Sequence, residues 1–382
     1  MESFLLPLLY NAAFLGVLLV WLNREKLEKK VQLSNASLWI ISAVVTTISV
    51  IINICFVIYD LTDVDNVLWT GSKAFVEGVN PYTNEVVEHI NTEGEVFDSY
   101  YNYGPINLAI YTIFFLAFGP VFGKWWLFPS SLILGIACYF IHAAMRGKAE
   151  DMVSISPKKQ DSALSLAWNH NRDIPLFCML ISPFLVNNSI LMLLFFLIGR
   201  YFRQKNHKTA EVSFYVLGAE VKFMTGLIVV IMFLDRITAE EFSWKGLQPF
   251  VAGILVYLLS ALPFGLYPVI RGELLHQGVP SERTGEIAGP LLIEILLLLT
   301  ISDLLIPSAL VIMGITYWLT IKRSLSDREI ILCLVSLFVL PFYGTELAVI
   351  PFAIILFHYT GIEKQIVPEQ TADISSKRQL LP

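Results

Sequence analysis

Leu38-Trp-Ile-Ile-Ser-Ala-Val-Val-Thr-Thr-Ile-Ser-Val-Ile-Ile-Asn-Ile-Cys-Phe-Val-Ile-Tyr59 contains no aspartate, glutamate, lysine or arginine. At about 1.5 Å per helical residue, such a stretch reaches across a hydrocarbon core of about 30 Å. Blocks of the same kind recur at Phe4–Leu22, Trp125–Ala144, Phe250–Ile270, Leu304–Ile321 and Ile330–Phe342. Peptide groups in lipid must find hydrogen-bond partners within the chain, so these blocks are expected to be helices, and their continuity excludes an outer-membrane barrel. Composition agrees. The 382 residues are 55% hydrophobic and only 15% charged, against about a quarter charged in soluble domains. The expected fold class is all-α, a polytopic membrane bundle of about 10–12 helices, some short or re-entrant.

No hydrophilic stretch is long enough for a separate soluble domain. Residues 1–362 read as one membrane domain, followed by a polar cytoplasmic tail at 363–382. The N-terminal apolar block lacks a basic leader and a small-residue cleavage site, so it reads as a retained helix. Cys55, Cys138, Cys178 and Cys333 lie in apolar surroundings without paired spacing, as buried hydrophobes do.

Basic residues in short loops favour the cytoplasmic side. Four clusters are expected there: Arg24 to Lys30, Arg146 to Arg172, Arg200 to Lys208, and Lys322 to Arg328. Between the first two lies Asp60–Pro105, which is acidic apart from Lys73 and reads as an outer loop. The blocks Ile174–Gly199 and Val212–Leu234 both begin and end at basic clusters. Each is expected to fold as a short helical hairpin whose tip stops below the outer surface, lining a cavity. Arg271–Pro290 and Tyr343–Glu346 read as further outer segments.

The first outer loop is far longer than an ordinary helix connection, and loops of that length are usually functional or disordered. Within it, Asn66–Glu77 reads as an amphipathic interfacial helix, with Asp65 as its N-cap and Gly78 as its stop. The series Asp65, Trp69, Gly71, Ala74, Gly78, Asn80-Pro81-Tyr82, followed by Tyr103-Gly104-Pro105 before an apolar run, resembles the polytopic glycosyltransferases of superfamily C. The nearest group is the mannosyltransferases that use polyprenyl-phosphate mannose. Ser182-Pro183, Gly199-Arg200, Gly218 with Lys222, Asp235-Arg236, Leu340-Pro341 and Pro351 fit the same order. The chain departs from the family in carrying Gly344-Thr345-Glu346 where histidines are common, and Gly104 in place of a proline.

The resemblance implies an inverting hexosyltransferase of the GT-C type. It would move a sugar, mannose for preference, from a polyprenyl-phosphate donor to a glycan or glycolipid acceptor at the outer face of the membrane. Asp65 is the expected general base, with Asp63 and Asp60 as the alternatives in the same acidic run. Lys222, with Arg271 and Arg283, would hold the donor phosphate. A lone cation at membrane depth is costly, which makes Lys222 a candidate in its own right. Trp69, Tyr82, Tyr103, Asn188 and Glu346 are the expected substrate contacts. Asp63-Val-Asp65 resembles a metal-binding Asp-x-Asp triplet, but a hard cation needs more oxygen ligands, so no metal or other cofactor is expected. The partners implied are the donor, the acceptor and the bilayer, with no nucleic acid. The expected location is the plasma membrane of a bacterium or archaeon, with the active site outside.

A transporter or flippase of polyprenyl-linked sugars or other lipids is the competing reading, since short broken helices with buried charge occur there too. Internal repeats, which transporter folds usually carry, are not evident. The sidedness is testable with single cysteines and a membrane-impermeant thiol reagent. Positions within 85–95 should react in intact cells, and positions within 200–208 only after permeabilisation; reaction of the latter from outside would reverse the scheme.

Overall fold

The structure, a computed structural model, describes residues 12–13, 15–24, 34–59, 63–90, 96–154, 173–238, 243–270, 304–339 and 345–360. They are almost entirely helical, and four helices are long and apolar enough to cross a membrane: Asn35–Ile58, Pro105–Trp125, Leu127–Arg146 and Trp244–Phe264. After a helical segment within residues 15–24, the helices in order are α1 (Asn35–Ile58), α2 (Asp63–Val76), α3 (Pro105–Phe122), α4 (Leu127–Ser154) and α5 (Asp173–Phe184). They continue with α6 (Ser189–Gln204), α7 (Lys208–Val221), α8 (Met224–Thr238), α9 (Trp244–Ala261) and a short α10 (Leu266–Ile270). The last three are α11 (Leu305–Thr320), α12 (Leu325–Val339) and α13 (Val349–Thr360). One exception to the all-α expectation is a small antiparallel ribbon, β1 (Val87–Ile90) with β2 (Val96–Ser99), in which Val87 pairs with Ser99.

Both interrupted apolar blocks fold as helical hairpins, α5–α6 and α7–α8. Close backbone approach holds α6 against α7, because a Cβ on Gly199 would lie 2.4 Å from the Tyr215 ring. Asn53 of α1 staples the first tip. Its side-chain amide donates to the Ser182 carbonyl at 3.0 Å, and its oxygen accepts from the Val186 N–H at 3.3 Å.

At the opposite ends of these hairpins lies a layer of ion pairs. Glu329 of α12, fully buried, receives Arg200 and Arg203 of α6, the latter at 3.2 Å. Arg203 also faces Glu211 of α7 at 3.4 Å. Arg328 pairs with Asp235 at the end of α8, which also accepts the Tyr317 hydroxyl of α11 at 2.8 Å. Arg24 reaches Asp327 at 2.9 Å, and Arg146 of α4 pairs with Asp173 of α5. One or more arginines from each of the four basic clusters thus meet in a single layer. His142, stacked between Phe177 and Phe357, and the Trp21–His358 ring contact join its two halves.

The path of α3 is set by where its ends land. At its start, the Gly104 N–H donates to the Glu220 carbonyl, 2.7 Å away at the tip of the second hairpin. Past its end, Lys124 donates to the carbonyl of Ile58, the last residue of α1, at 3.5 Å. Ser42, early in α1, donates to the Pro175 carbonyl beside the ion-pair layer, so Ile58 lies at the far end of that helix. Although long and apolar enough to cross a membrane, α3 therefore begins and ends on the side away from the ion pairs. Gly123, with φ 55°, makes the turn that sends α4 back toward them.

Breaking a buried ion pair by removing one partner costs about 3–5 kcal/mol, because the other charge is left without compensation. Glu329→Ala should lower the unfolding free energy in detergent by that order, since two arginines lose their shared acid. A change within about 0.5 kcal/mol, the usual range for a surface substitution, would show that the layer does not hold the bundle together.

Candidate functional site

The described residues within 63–126 form a platform over the hairpin tips, and its first element is α2. The helix starts at Asp63 or earlier, so Asp65 lies inside its first turn instead of capping it, a correction to the expectation from sequence. Aspartates suit a first turn because the helix dipole favours negative charge there, and two of them, at 63 and 65, extend the helix backward. The stop falls where expected. Gly78 has φ 80°, its N–H donates to Phe75 at 3.1 Å, and Val79 donates to Ala74 at 2.9 Å, the paired bonds of a glycine-terminated helix. Val67, Leu68 and Ala74 are buried while Lys73, Phe75 and Val76 are exposed, so the buried face leaves out the two apolar residues of the last turn.

The Asn80-Pro81-Tyr82 turn is bonded on every side. The Asn80 oxygen accepts from the Tyr82 N–H at 3.0 Å, while its amide donates to the Phe264 carbonyl beyond α9 at 3.0 Å. The Tyr101 N–H donates to the Pro81 carbonyl at 2.9 Å, and the Tyr82 hydroxyl donates to the Tyr103 carbonyl at 2.8 Å. Tyr82 is 3% exposed, edge-on to Tyr101 and Phe264, and so serves the platform's own packing. Trp69 does the same against Phe115 and Trp126. Burial, together with the nearby Tyr103 and Tyr111, pushes the Tyr101 phenol well above its usual range, so it stays neutral.

Asp65 is half-buried, and its Oδ1 accepts the indole N–H of Trp126 at 2.8 Å. That bond fixes the carboxylate against the α3–α4 corner. Trp126 gave no signal in the sequence, because an indole partner 61 residues away leaves no local pattern.

Glu220 is the other residue of this region that was not among the expected site residues. It is 3% exposed at the end of α7. Its Oε2 accepts the Ile106 N–H at 3.2 Å, its Oε1 accepts the Ser260 hydroxyl of α9 at 2.9 Å, and its carbonyl takes Gly104. Gly104 and Pro105 leave the start of α3 without a side-chain cap of its own, and a carboxylate from a different helix supplies one. Lys222, two residues on, is the extended cap of α7 and is 8% exposed. It is not without a partner in this structure, so its burial is not that of a lone cation.

Asp65 and the Glu220–Lys222 tip therefore meet the same helix at different levels. The Trp126 ring that holds Asp65 packs on Tyr111 and Phe115, whereas Glu220 bonds Ile106. Those contacts are about 8–14 Å apart along α3. Asn188, at the first hairpin tip, is fully buried. The backbones of Asp63 and Glu346 are described but not their side chains; Asp60, Arg271 and Arg283 lie outside the described residues. Among the described residues no cluster of histidine, cysteine and carboxylate side chains is arranged to hold a metal. Comparison with known families, with curated proteins and with solved structures returns no match.

Gly71 sets how closely α2 can approach the rest, since a Cβ there would lie 2.5 Å from the Tyr101 ring. Overpacking of this kind costs about 1–3 kcal/mol. Gly71→Ala should lower thermal stability accordingly, while Gly314→Ala, where a Cβ meets nothing within 4 Å, should not. Equal melting temperatures for the two variants would refute this packing.

Proposed function

We propose that the protein is an inverting glycosyltransferase of the outer membrane face, taking a sugar from a polyprenyl phosphate, mannose for preference, and passing it to a glycan or glycolipid hydroxyl. The observation that carries this reading is the platform: a half-buried carboxylate, Asp65, fixed by an indole N–H above two hairpin tips, one of which bears Lys222. A lipid-linked donor needs both surroundings at once. Its polyprenyl chain belongs beside apolar helix faces such as α1 and α9, and its phosphate belongs near a cation at the outer ends of those helices.

In the proposed reaction the acceptor hydroxyl attacks the anomeric carbon and loses its proton to Asp65, while the bond from that carbon to the phosphate oxygen breaks. Polyprenyl phosphate leaves as an anion, so positive charge can take the place of a general acid. Lys222 is the proposed source of that charge, with Arg271 and Arg283 as its companions. In this reading the donor bridges the two levels, with its phosphate at the Lys222 tip and its anomeric carbon toward Asp65. The protein is proposed to sit as a multi-pass protein in the plasma membrane, with the ion-pair layer cytoplasmic and the platform outside.

The test is transfer by the purified chain from polyprenyl-phosphate sugars to a membrane lipid extract. Loss of a general base costs about 10²–10⁴-fold. Asp65→Asn should lose activity by that factor with its folding intact, because the asparagine oxygen can still accept the Trp126 N–H. Full activity in this variant would remove Asp65 from the chemistry. No transfer by the wild-type chain from any such donor would refute the function.

A further inference from the structure

The side of α3 toward α4 is polar, and the first hairpin tip adds a further polar group beside α4. Asn107 and Tyr111 of α3, Ser131 of α4 and Asn188 at the tip are all fully buried. The Asn107 oxygen, the Tyr111 hydroxyl, the Ser131 hydroxyl and both side-chain atoms of Asn188 have no hydrogen-bond partner. These residues share one seam. Tyr111 neighbours Cys138, seven residues beyond Ser131 on the same face of α4, and the Cys138 thiol donates to the Ile190 carbonyl at 3.8 Å, two residues past Asn188. The other atom of the Asn107 amide donates to the Tyr101 hydroxyl at 3.4 Å.

Buried polar atoms are nearly always hydrogen-bonded, and each one left alone carries the full cost of its lost water. Five such atoms without a protein partner burden the closed state. Lifting α3 would relieve them; its first turn is bonded to Glu220 through Ile106, and just outside its ends Gly104 bonds Glu220 and Lys124 bonds Ile58. We propose that this seam opens and that the open seam receives a neutral, hydroxyl-rich group such as a sugar ring. The orphan groups are amides and hydroxyls, which both give and accept hydrogen bonds, and none is charged. Tyr101 at the edge of the seam keeps its proton, so it does not favour a cationic ligand. The opening is a property of the seam and stands whether or not the protein transfers sugars.

Cys138 reports on it directly, being fully buried in the closed form. In the full chain in lipid nanodiscs, with Cys55, Cys178 and Cys333 changed to alanine, the water-soluble cation MTSET should modify Cys138 slowly but measurably. Tyr111→Phe removes one orphan hydroxyl and should slow modification about fivefold, the equilibrium shift that one hydrogen bond's worth of free energy brings. Methyl α-mannoside should slow it in the wild-type protein, whereas sodium phosphate should not. A Cys138 that never reacts before unfolding would overturn the opening. Reaction unaffected by Tyr111→Phe would overturn the role of the orphan groups, and reaction unaffected by the glycoside would overturn the proposed ligand. Transfer activity is read separately, so its absence would leave this result intact.

Discussion

Glu329, held without solvent between two arginines of another helix, fixes the register of the bundle. A buried ion pair contributes little net stability, because desolvating the charges offsets most of their attraction. What it does contribute is selectivity against other arrangements, since sliding α6 or α12 by one turn would strand three charges. With Asp235, Glu211 and Asp327 paired in the same layer, the open ends of both hairpins and the start of α12 are pinned together. The tips must then lie at the other end, at a height set by helices of only 12 to 16 residues. Everything proposed about a site follows from that height, because it leaves room for a platform above the tips and below the end of α1.

The platform uses the aromatic side chains that sequence alone would assign to a substrate. Tyr82 and Tyr103 sit edge-on to Tyr101, and Trp69 edge-on to Phe115 and Trp126, and such contacts fix orientation as well as burying area. The groups left over for the proposed chemistry are fewer and more specific. Asp65 is oriented by one indole, and Glu220 spends its carboxylate on the start of α3 and on Ser260. Lys222 follows in extended backbone, where the chain can aim it differently from the helix before it.

Patterns confined to a few residues were legible in the sequence. The apolar runs, the interrupted hairpins and the Gly78 stop all rest on local spacing, and each has a counterpart among the described residues. The start of α2 was read late because Asp65 is as good a cap as a first-turn residue, and only the backbone of Asp63 and Val64 distinguishes the two. The β ribbon is eight residues in two short strands, too little for an alternating pattern to register. The path of α3 was not legible: its 18 mostly apolar residues have the length and composition of a membrane crossing, and what makes the helix return is the meeting of Lys124 with Ile58, 66 positions away. Glu220 was hidden for the same reason: a carboxylate that caps a helix 114 residues earlier has no motif.

The central claim is that α3 begins and ends at one end of the bundle, which makes residues 63–126 a single platform. Lys124 is exposed in the turn after α3, Glu85 is exposed before the ribbon, and Lys205 is exposed at the ion-pair end. Single cysteines at these three positions, labelled with an impermeant reagent in sealed vesicles of known orientation, decide the matter. The account predicts that positions 124 and 85 react from the same side and position 205 from the other. Reaction of position 124 from the side of position 205 would mean that α3 crosses the membrane, and would contradict the platform and the site built on it.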